Sequence, residues 1–319
     1  MAKLQSTEIV GVANRPATIC SNSVCMWFDT TNTKIVFSYC ERSISGVGVW
    51  SAGGALISAR RGLAGAGTQN EGLAISGCIS VPVSCTEEYN GTSWSAGGGF
   101  ISARFQLAGA GTQNVGLAMG GITNVNVSCT EEYNGTSWSA GGALIIARRA
   151  LAGAGTQNVG LTMGGTTGVD ATCTEEYDGT SWSAGGALII GRRVLLGAGT
   201  QNEGLAMGGY ANVVVTCTEE YNGTSWSAGG ALITARYFSA GAGTQNAGLA
   251  IGGLITVAVS CTEEYNGTTW SSGGALITGR CLLAGAGLQS QGLAFGGQTS
   301  ANVSCTEEYD KLVIIDSIQ

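Results

Sequence analysis

Small and apolar residues in most of this chain fall into short runs separated by polar pairs. Gln69-Asn70 separates the second run of the first unit from the third, and Asn90-Gly91 follows the fourth run. Asn-Gly is the favoured pair of a type I′ hairpin turn, in which both central residues need positive φ. The pattern predicts short antiparallel strands, which begin at Trp50 and then cover 63–68, Gly72–Ile75 and 83–89.

The pattern repeats every 44 residues, six times without insertion or deletion, across residues 50–313. Three framework residues mark the period. They are Trp50, Trp94, Trp138, Trp182, Trp226 and Trp270; Arg60, Arg104, Arg148, Arg192, Arg236 and Arg280; and Cys85, Cys129, Cys173, Cys217, Cys261 and Cys305. A four-stranded unit of this length is typical of a propeller blade. Helical solenoids have similar periods, but the repeated Gly-Ala-Gly and Gly-Gly would each weaken a helix by about 1 kcal/mol per glycine.

The ends of the repeat predict how the ring closes. Trp50 begins a strand of the fourth type, called d, with no a, b or c strand before it, whereas the last unit ends at Tyr309 with a c strand. If residues 50–60 complete the last blade, no sheet edge between the chain ends remains open. The sequence therefore predicts an all-β fold, a six-bladed propeller over residues 50–313, rather than one of five or seven blades.

Residues 1–49 lie outside the repeat and precede a tail at 314–319. Residues 25–29 and 34–39 read as a β-hairpin joined by a four-residue turn, and 312–316 is a further strand candidate. Two interpretations of the N-terminal segment remain open: a docking element for a larger assembly, or a cap over a blade edge. The docking candidates are Trp27, Phe28, Phe37 and Tyr39.

Composition excludes several classes of protein. The 319 residues include 54 glycines, two prolines and 44% hydrophobic residues, which excludes collagen-like and disordered chains. The net charge of −7 with no basic cluster argues against nucleic acid as a partner, and no apolar stretch predicts membrane insertion. Histidine is absent, which removes His-based triads, zinc hydrolases and His-ligated copper centres. We therefore expect no enzymatic activity, no metal and no cofactor.

The repeated polar residues favour structural roles. Strand alternation places Glu87 and Glu88 on opposite faces, so we expect one glutamate to pair with the framework arginine between blades and the other to be solvated. Equivalent cysteines cannot meet in pairs around a ring, which predicts buried free thiols. The repeated tryptophans are expected in the core between blades.

Sequence differences between the units concentrate in two stretches. These are the b–c connection, after the second strand, and the two residues after the framework arginine in the d–a connection. Both connections emerge at the same end of every blade, called the variable face below. Because recognition commonly uses loops on a rigid scaffold, this face is the candidate binding surface; neutral drift is the alternative. The candidate residues are Phe105, Asn126, Arg149, Asp170, Arg193, Tyr210 and Tyr237.

A diglycine, a Glu-Tyr pair, a tryptophan and an arginine recur in this order, and in the second unit they are Gly120-Gly121, Glu132-Tyr133, Trp138 and Arg148. This order resembles the kelch repeat in all six units, although the first unit has Ser76-Gly77 instead of the diglycine. Kelch enzymes of the galactose-oxidase type need copper ligands that include histidine, which this chain lacks. The repeated segments NGTSWSAGG and LAGAGTQN further resemble kelch-type virion proteins of tailed bacteriophages, including those of cyanobacterial hosts.

The second resemblance implies a structural or adhesive component of a phage virion, such as a fibre, spike or capsid decoration. Such a protein would be made in the host cytoplasm and carried in the virion. Its expected partners are other virion structural proteins and a glycan or protein of the host surface. The alternative is a cellular kelch interaction module or a secreted, lectin-like propeller.

Overall fold

The computed structural model describes residues 46–311 and, N-terminal to them, the backbone of two strands. Those strands, Cys25–Asp29 and Lys34–Ser38, form an antiparallel hairpin in which Asp29 lies opposite Lys34, as predicted. They contain the docking candidates Trp27, Phe28 and Phe37, whereas Tyr39 and the strand candidate 312–316 lie outside the described residues. The hairpin belongs to a unit separate from the compact unit Val47–Lys311.

The unit Val47–Lys311 is a six-bladed β-propeller of four-stranded antiparallel sheets. Blades 1 to 3 contain Ala64–Gly67, Gly72–Ile75, Thr86–Tyr89 and Trp94–Ala96; Ala108–Gly111, Gly116–Met119, Thr130–Tyr133 and Trp138–Ala140; and Ala152–Gly155, Gly160–Met163, Thr174–Tyr177 and Trp182–Ala184. Blades 4 and 5 contain Leu196–Gly199, Gly204–Met207, Thr218–Tyr221 and Trp226–Ala228; and Ala240–Thr244, Ala247–Ile251, Thr262–Tyr265 and Trp270–Ser272. Blade 6 contains Ala284–Gly287, Gln291–Phe295, Thr306–Asp310 and Val49–Ala52.

The ring closes by pairing the two ends of the repeat. Val49–Ala52 forms the outer strand of blade 6 and runs antiparallel to Thr306–Asp310, with Trp50 opposite Tyr309. The predicted number of blades and the predicted closure are both confirmed.

The c–d connection differs from the predicted type I′ turn. Tyr89 pairs with Trp94, so the connection has four residues, and Gly91 alone has positive φ, at 87°. Asn90 contributes its side chain: Oδ1 accepts the backbone N–H groups of Thr92 and Ser93 at 3.0 and 2.9 Å. The type I′ prediction is wrong because the asparagine shapes the turn through its carbonyl oxygen rather than through a left-handed backbone.

The core lies between neighbouring blades. Trp138 of blade 2 is buried, stacks at 4.8 Å on Tyr133, and donates its indole N–H to Thr86 Oγ1 of blade 1 at 2.9 Å. Leu73 and Ile75 of blade 1 belong to the same apolar cluster as this tryptophan. The predicted role of the repeated tryptophans in the core between blades is confirmed.

The inner strands pack backbone against backbone around the axis. A Cβ atom added to Gly109 would lie 2.6 Å from the carbonyl oxygen of Gly65 in the preceding blade, closer than non-bonded atoms approach. The equivalent glycines of the other blades are equally close to their neighbours. The Gly-Ala-Gly runs therefore allow six strands to converge without side chains at the contact.

The framework arginine and the first repeated glutamate form buried ion pairs. Arg60 is fully buried and donates to the Glu87 carboxylate, which also accepts the backbone N–H of Ile57 at 2.7 Å. This carboxylate therefore holds the d–a connection that arrives from the preceding blade. The equivalent pairs are Arg104–Glu131, Arg148–Glu175, Arg192–Glu219, Arg236–Glu263 and Arg280–Glu307.

The second repeated glutamate is not simply solvated, and that prediction is wrong. Glu88 of blade 1 accepts a hydrogen bond from the Tyr133 hydroxyl of blade 2, and the same hydroxyl accepts the Gly98 N–H at 3.0 Å. Burial and then the hydrogen bond to Glu132 raise the pKa of the equivalent Tyr177 to about 12. Both glutamates of each unit therefore help to connect blades.

The repeated cysteines are free thiols, but they are not buried. Cys129 is exposed and the other five are half-buried, while the buried thiols of residues 46–311, Cys78 and Cys281, lie outside this set. Each repeated cysteine immediately precedes a c strand, and Arg236, for example, donates to Cys261 Sγ at 3.1 Å. The predicted burial is wrong because this arginine, rather than apolar packing, occupies the adjacent space.

Candidate functional site: the variable face

The variable face is built from paired connections within each blade. The residue after the framework arginine forms a backbone bridge with the residue after the diglycine: Arg149 with Thr166, and Arg193 with Tyr210. The b–c and d–a connections are therefore held side by side at this end of the blade. All seven candidate residues lie in these connections.

Three polar side-chain pairs join neighbouring blades on this face. Arg149 of blade 3 donates to Asn126 Oδ1 of blade 2 at 2.9 Å, and Asn126 in turn donates to the Thr166 carbonyl of blade 3 at 3.1 Å. Arg193 forms an ion pair with Asp170 of the preceding blade. The third pair is Arg61 with Asn302, at 3.0 Å.

The remaining three blade junctions have apolar residues at the acceptor position. The acceptor always precedes its arginine by 23 residues around the ring, and the corresponding pairs at the other junctions are Pro82 with Phe105, Val214 with Tyr237 and Ala258 with Cys281. A side-chain hydrogen-bond acceptor thus occurs at the three junctions that have an arginine. The other three junctions have neither the arginine nor the acceptor. The b–c residue and the residue after the framework arginine therefore change together from junction to junction. This correlation is readable in the sequence, but considering the two positions separately misses it.

This pairing changes the interpretation of four candidate residues. Asn126, Arg149, Asp170 and Arg193 direct polar atoms at each other across blade junctions, so part of their variation serves blade packing. The Arg193 side chain nevertheless remains 37% exposed, and Asp170 is 13% exposed. Arg193 therefore keeps guanidinium N–H groups accessible beyond the single one that the ion pair uses.

Three half-exposed aromatic side chains adjoin each other at the junction of blades 4 and 5. The ring centroids of Tyr210 and Tyr237 lie 5.9 Å apart, and those of Tyr237 and Phe238 lie 5.0 Å apart. The Arg193 guanidinium stacks over Tyr210 at 4.5 Å. We call Tyr210, Tyr237 and Phe238 the aromatic cluster; Phe238 was not among the sequence candidates.

The local backbone also differs at the aromatic cluster. In blade 4 the b–c connection gains an extra two-stranded pair, Tyr210–Ala211 with Val213–Val214, turned by Asn212 at φ 60°. Among residues 46–311, the framework aromatic rings and Phe100 and Phe295 are buried, which leaves the cluster and Phe105 as the half-exposed aromatic side chains. Phe105 occupies the position of Tyr237 in blade 2 and has no aromatic ring in contact within the described chain.

A closed ring of backbone hydrogen bonds surrounds the axis at the variable face. The second residue after each framework arginine donates its N–H to the carbonyl of the equivalent residue in the preceding blade, over 2.7 to 3.2 Å. All six have φ between 50° and 60°, which is strained for a β-branched residue such as Val194. The ring members are Gly62, Gln106, Ala150, Val194, Phe238 and Leu282. These hydrogen bonds fix the backbone of Phe238, the member of the aromatic cluster that belongs to the axial ring.

A small cavity lies where the six inner strands meet the variable face. The cavity at the axial ring has a volume of about 90 Å³, well below the several hundred Å³ usual for small-molecule pockets. Residues 46–311 and the two N-terminal strands contain no group of three or more His, Cys, Asp or Glu side chains placed to hold a metal ion. No helix in the described part of the chain is long and apolar enough to cross a membrane.

A scan against protein-family models finds no match for this chain, and a search of curated proteins finds no relative. Its architecture defines its class: a six-bladed β-propeller of regular 44-residue blades.

Proposed function

We propose that the protein is a non-enzymatic, kelch-like propeller that serves as a structural or adhesive component of a phage virion. It would lie in a fibre, a spike or a capsid decoration, with other virion proteins as partners. The observation that carries this proposal is the separation of roles in the propeller. The repeated arginines and glutamates bind to other groups within and between the blades. The sequence variation is confined largely to one face.

The backbone supports the kelch-like part of the proposal. Gly120 and Gly121 both have positive φ, 59° and 106°, and the Gly121 N–H donates to the Arg148 carbonyl at 2.9 Å. The diglycine and the arginine, which have the kelch spacing, are therefore in contact in the fold. In blade 1, Ser76 takes the same left-handed conformation at φ 54°.

The N-terminal segment is the proposed attachment to the particle. The propeller closes through Val49–Ala52, and the two described strands that precede it along the chain belong to none of its blades. Deleting residues 1–40 should give a propeller that folds with an unchanged melting temperature but does not enter virions. Normal incorporation of the truncated chain would contradict attachment through Trp27, Phe28, Phe37 and Tyr39.

The variable face is the proposed recognition surface for a host glycan or protein. Changing Phe105, Arg193 and Tyr237 together to alanine should reduce adsorption of particles to host cells. The control changes Asn114 and Asn158 to serine in the a–b hairpins of the opposite face, where both side chains are exposed. Equal adsorption by both variants and the parent would make the propeller a passive decoration.

A cellular interaction module or a secreted, lectin-like propeller is the second candidate, and the aromatic cluster is the observation that favours it. Genes next to the coding sequence discriminate between the two. Adjacent capsid, portal or tail genes support the virion, whereas a secretion or signalling context supports the alternative and an extracellular or cellular location.

A further inference from the structure

We propose that the aromatic cluster, with Arg193 and Asp170 beside it, binds a neutral pyranose unit of a surface polysaccharide. The inference deepens the proposed recognition role of the variable face and rests on it. In the described blades the aromatic cluster occurs once, at the junction of blades 4 and 5. A site for a single ligand is expected where the six-fold repetition is broken.

The aromatic rings supply the apolar part of the site. Half-exposed tyrosine and phenylalanine rings present broad, rigid apolar surface at low cost in conformational entropy, and tyrosine adds a hydroxyl at its edge. Tyr210 and Tyr237 are tilted by 55° to each other, so their faces form an open angle rather than a closed stack. One face of a pyranose ring carries mainly C–H groups, which suits such a surface.

The backbone fixes the position of these rings. Phe238 has φ 53°, in the left-handed region that bulky residues seldom occupy, and shares this conformation with the equivalent residue of every blade. Asn212 turns the added strand pair beside Tyr210 at φ 60°, a conformation that asparagine tolerates. The Phe238 N–H is bonded to the Val194 carbonyl at 3.2 Å, so the axial ring anchors one end of the cluster.

The polar neighbours determine the charge of the ligand. Arg193 and Asp170 neutralise each other through their ion pair, so the site adds no net charge for an anionic or cationic ligand. The guanidinium keeps donors free, and in the described chain the only hydrogen bond of the Asp170 carboxylate is the one to Arg193. Donors and an acceptor side by side match neighbouring hydroxyl groups. A neutral sugar therefore fits better than a uronic acid, a sialic acid or a phosphate.

An array of neutral and acidic oligosaccharides from bacterial surface polysaccharides, probed with the full-length chain, tests the proposal. Binding to neutral pyranosides is expected, and Tyr237→Ala or Tyr210→Ala should weaken it at least about tenfold. Ile122→Ala is the matched control, because Ile122 has the place of Tyr210 in blade 2 and lies outside the aromatic cluster. Its affinity should equal that of the parent.

Three outcomes would overturn the sugar site: binding to no neutral oligosaccharide, preference for acidic ones, or equal loss in the Ile122→Ala variant. Thermal melting of each variant separates loss of binding from loss of folding. The virion proposal is decided separately, by incorporation of the chain into particles. A chain that enters virions and binds no sugar contradicts the sugar site alone, whereas a sugar-binding chain that never enters virions contradicts the virion proposal alone.

Discussion

The blade junction formed by Asn126 and Arg149 provides the sharpest test of how the variable face is built. Asn126→Val removes the acceptor of the Arg149 guanidinium at 2.9 Å and the donor to the Thr166 carbonyl at 3.1 Å. A hydrogen bond to a charged group contributes about 1.5–3 kcal/mol, and the lower end applies here because both side chains are half-exposed. We expect a loss of about 1–2 kcal/mol, or a fall of about 2–6 °C in melting temperature.

The matching second change should restore most of that stability. Asn126→Val together with Arg149→Tyr recreates the Val214 and Tyr237 pair that the protein uses at the junction of blades 4 and 5. The backbone bridge between Arg149 and Thr166 does not depend on either side chain. The double variant should therefore melt within about 2 °C of the parent, which corresponds to a coupling of about 1 kcal/mol.

Circular dichroism melts of the parent, both single variants and the double variant measure this coupling. Val125→Ala is the control, because Val125 is adjacent and 67% exposed and should change little. If the two single effects add to within about 0.5 kcal/mol in the double variant, the columns do not interact. The joint occurrence of an arginine and an acceptor at the same junctions would then contribute nothing to the free energy of unfolding.

Three further predictions concern the framework. Trp138→Ala should cost about 3–5 kcal/mol, measured by thermal melting, because a buried ring and its bond to Thr86 are lost; a loss below about 1 kcal/mol would contradict a core role. Gly109→Ala should destabilise by about 1–3 kcal/mol or more because its Cβ meets a backbone oxygen, whereas Gly99→Ala, with no atom within 4 Å, should be neutral; similar melts would contradict close packing at the axis. Melting temperature should fall as the pH rises from about 10 through 12. Folding raises the pKa of Tyr177 and its equivalents Tyr221 and Tyr265 from 10 to about 12, so their protonated form stabilises the fold and is lost at alkaline pH. A constant melting temperature to pH 12 would refute this.

The blades and their closure could be predicted because they depend on spacing alone. Each Trp pairs with the Tyr of the preceding strand, and the unmatched Trp50 and Tyr309 identify each other as partners. Strand alternation likewise separates Glu87 from Glu88 correctly. It does not reveal what the next blade presents to Glu88, and the Tyr133 hydroxyl that meets it comes from a residue 45 positions away.

The local backbone could not be predicted where it opposes residue preference. Val194 and Phe238 have left-handed φ only because the axial ring of hydrogen bonds fixes them there, and both residues by themselves favour extended strands. Gly62, at the equivalent position, was the one signal in the sequence. The aromatic cluster was missed as a unit for the same reason, since Phe238 reaches Tyr237 from this unexpected conformation.

Repetition itself limits where a specific function can lie on this propeller. A framework residue that occurs six times presents the same group in six directions, and one small ligand cannot contact all of them. The paired positions at the blade junctions vary, but each change at one position is accompanied by a matching change at its partner across the junction. Contacts within the propeller therefore account for this variation. The aromatic cluster remains: Phe105 repeats one of its positions in blade 2, but no other junction of the described blades brings three half-exposed rings together. Selection for a contact outside the chain explains such residues better than selection for packing, because packing is achieved at the other five junctions without them.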